Sequence, residues 1–392
     1  MDLAAVRTQF EENFRSRGEL GAAVSVWHGG EEILSLAAGW CDRQQTQPWN
    51  DDTLVLGWSV TKALASACLL HVLAADGIAL STPVAALWPE FAANGKDLVT
   101  LAQLLSHQAG LAAMDVPSTP VLDHRAVAAA LAAQAPNWPP GTAHGYHPRT
   151  FGFLVDELLR RRRPAHTIAS YWREVFAEPL SLDFWIGLPD AEAHRAANIL
   201  AARAGGPALT GSFYDALVEE GSLTRRAFAG PAGLHAVAAM NAPTARRVAI
   251  PSFSGIGSAR ALGKFYAVLA NGGTLGGRTY FSPEALRWMT TALVSGPDRV
   301  LCLETAFSAG FMQDPVGADG RKTRTLFGPS ARAFGQPGAG GGHAFADPEN
   351  GVAFAYLMNQ MELGVLPNHK SLSMVAAVYG APLPAQGSAT ST

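Results

Sequence analysis

Apolar residues at Leu3, Val6, Phe10 and Phe14 recur at spacings of three and four, which predicts an amphipathic first helix. The pattern then changes period. Ala22–Trp27 and Ile33–Ala37 are apolar runs of strand length separated by His28-Gly29-Gly30, so they predict an antiparallel hairpin. After the polar turn Asn50–Thr53 and the short run Leu54–Leu56, the segment Ala63–Ala75 is built from strong helix formers without Gly or Pro. Helices are also predicted over Thr100–Ser106, Ala126–Ala135, Phe151–Arg163, Ala259–Ala270 and His369–Tyr379, and one beginning at Ser282-Pro283. Between Pro164 and Pro251 the signal is short helical patches and loops. Strands are expected at Thr305–Phe311, Ala333–Gly335, His343–Ala346 and Val352–Met358, with Asp347–Gly351 as the last turn.

Strand and helix patterns therefore lie at both ends of the chain, with a helical stretch between them. The economical arrangement is an α/β fold of the α+β type: one antiparallel sheet built from both termini, flanked by helices, with a mainly helical lobe inserted. The expected division is 1–78 with 252–392 for the sheet domain and 79–251 for the helical one. The helix after Ser59 would lie between the two, where clefts form.

Bulk properties narrow the function. The chain has 392 residues, 48% hydrophobic and 16% charged, with a net charge of −3, which fits a globular protein and gives no basic surface for nucleic acid. The Arg160–Arg163 run follows Asp156-Glu157 and reads as the solvated C-terminal end of a helix. The three cysteines, Cys41, Cys68 and Cys302, form no CxxC and no disulfide framework. No basic n-region precedes an apolar core, and no uncharged apolar run reaches ~18 residues, so neither an export signal nor a membrane span is expected. Cytoplasmic placement is the resulting expectation.

The candidate chemistry centres on Ser59-Val60-Thr61-Lys62, the one Ser-x-x-Lys in the chain. On a helix these two side chains share a face. A lysine that is partly desolvated at a helix N-terminus titrates low, and a neutral amine beside a hydroxyl activates a serine. Taken alone, the spacing also fits a serine cap with a surface lysine one turn later. Two further stretches change that balance. Trp138–His147 is a loop of helix breakers carrying Tyr146, a residue type able to shuttle protons beside a lysine. His144 and His147 in the same loop lack a third ligand, so no metal is expected. Gly335–Gly342 is a glycine-rich segment next to a strand, without the Lys-Ser/Thr of a phosphate loop. One of its backbone N–H groups, with that of Ser59, could form an oxyanion hole.

Ser59-x-x-Lys62, then Tyr146, then a strand-borne glycine motif at Gly338 resembles the serine β-lactamase and penicillin-binding-protein superfamily, and within it the class C β-lactamase-like, family VIII carboxylesterases. Leu104–Leu111, Pro140-Gly141-Thr142 and Gly338–Gly341 before Phe345–Pro348 support the resemblance, which runs from about Gly21 to Asn359. It implies Ser59 as the acylated nucleophile, Lys62 and Tyr146 sharing the general base and acid roles, and Ala339 as the second oxyanion amide. It implies Gln336 and Gly338 at the substrate-binding edge, and no cofactor. Two departures bear on substrate. Tyr146-His147-Pro148 ends in Pro where the lactamases carry Asn, and the triplet Gln336-Pro337-Gly338 begins with a neutral residue where they carry Lys. A charge-assisted hydrogen bond is about twice as strong as a neutral one, so substrates with a free carboxylate lose most. The expected partner is thus a small-molecule ester, with neither nucleic acid nor membrane. The remaining alternatives are a β-lactamase or D-alanyl carboxypeptidase, an acyltransferase using the same triad, and a non-catalytic binder.

Overall fold

The computed structural model describes residues 1–203 and 211–381. Its main sheet has eight strands: β1 (Gly21–His28), β2 (Glu31–Gly39), β3 (Val294–Pro297), β4 (Glu304–Phe307), β5 (Met312–Gln313), β6 (Phe334–Gly335), β7 (His343–Asp347) and β8 (Val352–Met358). Their spatial order is β2-β1-β8-β7-β6-β5-β4-β3, and every neighbouring pair is antiparallel. The N-terminal hairpin thus lies against the last strand of the chain, with Ala22 opposite Met358 and His28 opposite Val352.

Both faces of this sheet are covered, and the alternation along β8 shows how. Ala353, Ala355 and Leu357 belong to the apolar cluster shared with the helix Ala259–Ala270. Phe354, Tyr356 and Met358 belong to the one shared with the helices Leu3–Arg15 and His369–Val378. A strand has period two, so small side chains meet one helix layer and large ones the other. We label the helices α1 (Leu3–Arg15), α2 (Thr61–Ala75), α3 (Phe151–Arg162), α4 (Ala259–Ala270) and α5 (His369–Val378). A second sheet, of Val55–Leu56, Gly255–Gly257 and Phe184–Ile186, joins the residues before α2 to those before α4.

Several expectations need correction. The strand expected over 305–311 ends at Phe307, and β5 begins only at Met312, because Gly310 at φ 79° turns the chain between β4 and β5. β3, interrupted by Gly296 and Pro297, was not expected; such residues belong to an edge strand, where β3 lies. The Arg160–Arg163 run is ion-paired rather than merely solvated: Arg160 meets Asp156, Arg161 meets Glu157 and Glu90, and Arg162 and Arg163 both meet Asp76 just past α2. Ser59 lies on a 3₁₀ turn, Trp58–Val60, and the α-helix proper begins at Thr61.

Helix α2 is the central element. Among the described residues, Trp58–Ala75 is long and apolar enough to cross a membrane, yet most of it is buried inside the protein. Leu64 and Leu69 point to opposite sides of the helix and both are fully buried. Replacing either by Ala should therefore cost about 2–5 kcal/mol in chemical denaturation. A change under about 1 kcal/mol at one of them would mean that α2 has a solvent-tolerant face.

Candidate active site

The turn that presents Ser59 is fixed from both sides. Thr61 Oγ1 donates to the Trp58 carbonyl (2.6 Å) and accepts from the Gly255 N–H (2.8 Å), while the Gly57 N–H donates to the Gly255 carbonyl (2.9 Å). Trp58 takes φ 51°, a left-handed conformation that costs a bulky residue on the order of 1–3 kcal/mol. The result is a half-buried Ser59 above a completely buried Lys62.

Lys62 Nζ has three polar neighbours. It lies 3.1 Å from Ser59 Oγ, 2.8 Å from the Pro148 carbonyl and 2.7 Å from the Ser252 carbonyl. No carboxylate pairs with it among the described residues. Burial pushes its pKa well below the usual lysine value, and the Arg149 charge lowers it further. The helix end invoked from sequence is therefore not the main cause. In a neutral amine, two N–H bonds directed at the two carbonyls leave the lone pair for the Ser59 hydroxyl.

Each carbonyl is itself held. Pro148 lies just before α3. Ser252 Oγ donates to the Arg149 carbonyl (2.7 Å) and accepts from the Gly152 N–H (2.8 Å). Gly152 allows this contact, since a Cβ there would come within 2.2 Å of the Ser252 nitrogen. The buried Arg149 guanidinium donates to the Pro231 and Gly233 carbonyls and stacks over Phe253, 5.0 Å from its ring centre; burial lowers its pKa to about 10.

Tyr146 is brought to the same place. Lys62 Nζ lies 5.0 Å from its ring centre, and the Gln336 amide donates to its hydroxyl at 3.1 Å. Its pKa moves the other way from that of Lys62: burial raises it, partly offset by hydrogen bonds with Ser59 and Gln336. Its ring is packed between Phe307 and His107. The buried Asp298 carboxylate fixes its backbone, accepting from the N–H groups of Tyr146 (3.0 Å), Val300 (2.8 Å) and Leu301 (2.8 Å). Burial raises the Asp298 pKa and these donors oppose the rise.

The histidines of this loop are committed to the scaffold. His147 Nδ1 donates to the Gly145 carbonyl and Nε2 accepts from the Leu111 N–H, while burial lowers its pKa to about 4. His144 Nε2 meets the Thr305 hydroxyl. Among the described residues no group of three or more His, Cys, Asp or Glu could hold a metal ion.

The glycine motif completes the site. A Cβ on Gly338 would lie 2.3 Å from the Gly57 carbonyl oxygen, so only glycine lets this segment pack against the Ser59 turn. The N–H groups of Gly338, Gly340 and Gly341 go to the carbonyls of Gly342, Gly364 and Gly338. That of Ala339 makes no backbone hydrogen bond among the described residues, and the residue is half-buried. The Ser59 N–H lies in the first turn of its helix, where no intrahelical acceptor exists. All six residues singled out from sequence thus lie on elements that converge here. Gln336 is buried with its amide on Tyr146, so it holds the tyrosine rather than standing open at a substrate edge. Sequence reasoning missed Asp298, Ser252 and Arg149. His107 lay within the motif Leu104–Leu111 without a role assigned.

Comparison with known proteins agrees with this fold. The beta-lactamase family profile matches residues 6–377. The esterase/beta-lactamase LipL of Mycobacterium tuberculosis is 33% identical over 365 residues, covering 91% of this chain and 81% of LipL. A penicillin-binding-protein homologue from Caulobacter crescentus superimposes with TM-score 0.84 at 38% identity, covering 96% of each chain. A family VIII carboxylesterase gives TM-score 0.84 at 34% identity, again covering 96% of each.

Asp298 offers a test of the scaffold. Asp298→Ala should displace the Tyr146 loop and lower kcat on a short-chain ester about 10²-fold, the scale of a 1 Å misplacement. A kcat within twofold of wild type would show that Tyr146 is held without it. The fold, the site geometry and the family profile together make this chain a member of the beta-lactamase family.

Proposed function

We propose that the protein is a serine carboxylesterase that hydrolyses small neutral esters through an acyl-enzyme on Ser59. The observation carrying this reading is the placement of a buried Lys62, without a counter-ion among the described residues, 3.1 Å from a half-exposed serine. As Ser59 Oγ bonds to the ester carbonyl carbon, its proton passes to Lys62 Nζ. The carbonyl electron pair becomes an oxyanion received by the Ser59 and Ala339 N–H groups. Collapse re-forms the carbonyl and breaks the bond to the leaving alkoxide, which takes a proton from the Tyr146 hydroxyl; Lys62 returns one to Tyr146. Water then attacks the acyl-enzyme by the same proton route and releases the acid. Opposite pKa shifts favour this division, with Lys62 neutral enough to accept and Tyr146 protonated enough to donate.

The neutral ester preference rests on Gln336. Its amide is engaged with Tyr146, and it brings no positive charge for a substrate carboxylate. The names of LipL, an esterase/beta-lactamase, and of the family VIII carboxylesterase support ester hydrolysis. The LipL name also favours a second reading, turnover of β-lactams as a side activity, which the lost charge should keep well below ester turnover.

Intact-mass spectrometry after fluorophosphonate treatment, with p-nitrophenyl butyrate and a chromogenic cephalosporin assayed in parallel, tests the proposal. Wild type should gain one adduct, and Ser59→Ala should lose both adduct and ester turnover, by about 10⁴-fold or more in kcat. Wild-type kcat/KM should rise with pH as Lys62 loses its proton. That rise should finish well below ~10.4, the ordinary lysine value. Labelling that survives Ser59→Ala would place the nucleophile elsewhere, and cephalosporin turnover rivalling the ester would make the protein a lactamase.

A further inference from the structure

Between α1, β1 and α5 lies a largely buried ionic cluster that the chemistry above does not use. Lys370, near the start of α5, is almost completely buried and pairs with Glu19 (3.2 Å) and Glu362 (3.2 Å). The Tyr356 hydroxyl, from β8, donates to Glu19. Asn13 of α1 donates to the Lys370 carbonyl. Glu362 is near enough for its charge to act on Arg17. Removing such charges from water costs several kcal/mol per ion. Tying α1, β1 and α5 together accounts for Glu19 and Lys370, but not for Glu362.

Glu362 belongs to the loop after β8, and this loop grips the glycine motif. The Glu362 N–H donates to the Gly340 carbonyl (3.0 Å), and the Gly340 N–H donates to the Gly364 carbonyl (3.0 Å). The Met361 side chain packs on Gly340, where a Cβ would lie 2.6 Å from Met361 Cγ. Gly340 immediately follows Ala339. One end of the oxyanion segment is therefore seated on Gly57, through Gly338, and the other on a loop whose charged anchor is Lys370.

We propose that Glu362, held by Lys370, is a positioning residue for the Ala339 amide. The proposal rests on the oxyanion assignment made above. Its action is indirect: the ion pair keeps residues 361–364 in register with Gly340, which sets the direction of the Ala339 N–H. Glu362 is the residue to change, because its side chain is 38% exposed and its loss leaves Lys370 paired with Glu19.

The experiment compares wild type, Glu362→Gln and Glu362→Ala as full chains, on p-nitrophenyl butyrate and on its thionoester, with thermal unfolding measured alongside. An oxyanion hole stabilises oxygen better than the larger, weaker acceptor sulfur, so wild type should prefer the oxygen ester strongly. Misalignment should lower kcat on the oxygen ester about tenfold, short of the ~10²–10³ lost when an oxyanion donor is removed. KM should stay within twofold, and the oxygen-to-sulfur preference should shrink, more in the Ala variant than in the Gln variant. Arg260→Ala, which breaks the exposed pair with Glu32, serves as a stability control and should leave both kcat and the preference unchanged. The proposal is overturned if both Glu362 variants keep the wild-type kcat and oxygen-to-sulfur preference. It is also overturned if they lose only thermal stability, as the control does. A wild type with no preference for oxygen would instead remove the oxyanion assignment, and the proposal with it.

Discussion

Everything at this site depends on where a lysine can be buried beside a serine, with its pKa pushed down by that burial. Lys62 is sealed under Ser59 with two backbone carbonyls as its fixed partners and, among the described residues, no carboxylate. A carboxylate there would stabilise the ammonium form and raise the lysine pKa. Carbonyls satisfy the N–H groups without adding a full negative charge, which leaves the ammonium the costlier form in a dry interior. Arg149 pushes in the same direction, because its charge on the far side of the Pro148–Ser252 clamp disfavours a second one.

Holding that arrangement requires elements from distant parts of the chain. Pro148 precedes α3, Ser252 precedes the strand Gly255–Gly257, and Lys62 opens α2. The three meet because the second sheet joins Val55–Leu56 to Gly255–Gly257 and because Gly152 lets α3 touch Ser252. Local strain accompanies this. Trp58 and His107 both adopt left-handed φ; Trp58 immediately precedes Ser59, and the His107 ring packs on that of Tyr146. The largely buried α2 supplies packing that can sustain such strain, since it has few ways to relax.

The parts legible in the sequence were those with a local signature. The hairpin around Gly29-Gly30, the first helix, the Ser59–Lys62 spacing, Tyr146 on a loop of breakers and the Gly338 motif each follow from spacing or turn chemistry, and each is where it was expected. The rest acts through backbone or burial. Pro148 looked like a loss because it has no side-chain amide, yet its carbonyl holds Lys62. Asp298 caps N–H groups of a loop about 150 residues earlier in the chain, and Ser252 works through a carbonyl and a shared hydroxyl. No residue pattern announces such contacts. Gln336 was legible as a neutral replacement for lysine, but its bond to Tyr146 was not.

The central claim is that Lys62 is a neutral amine in the resting protein, and it can be measured without turnover. The chain has five lysines, so ¹³C-lysine NMR gives a spectrum simple enough to titrate residue by residue, with Lys62→Met assigning the signal. The account predicts that the Lys62 signal titrates far below ~10.4, the ordinary lysine value. A Lys62 that stays protonated up to that value would contradict it, and the base would have to be sought in another group.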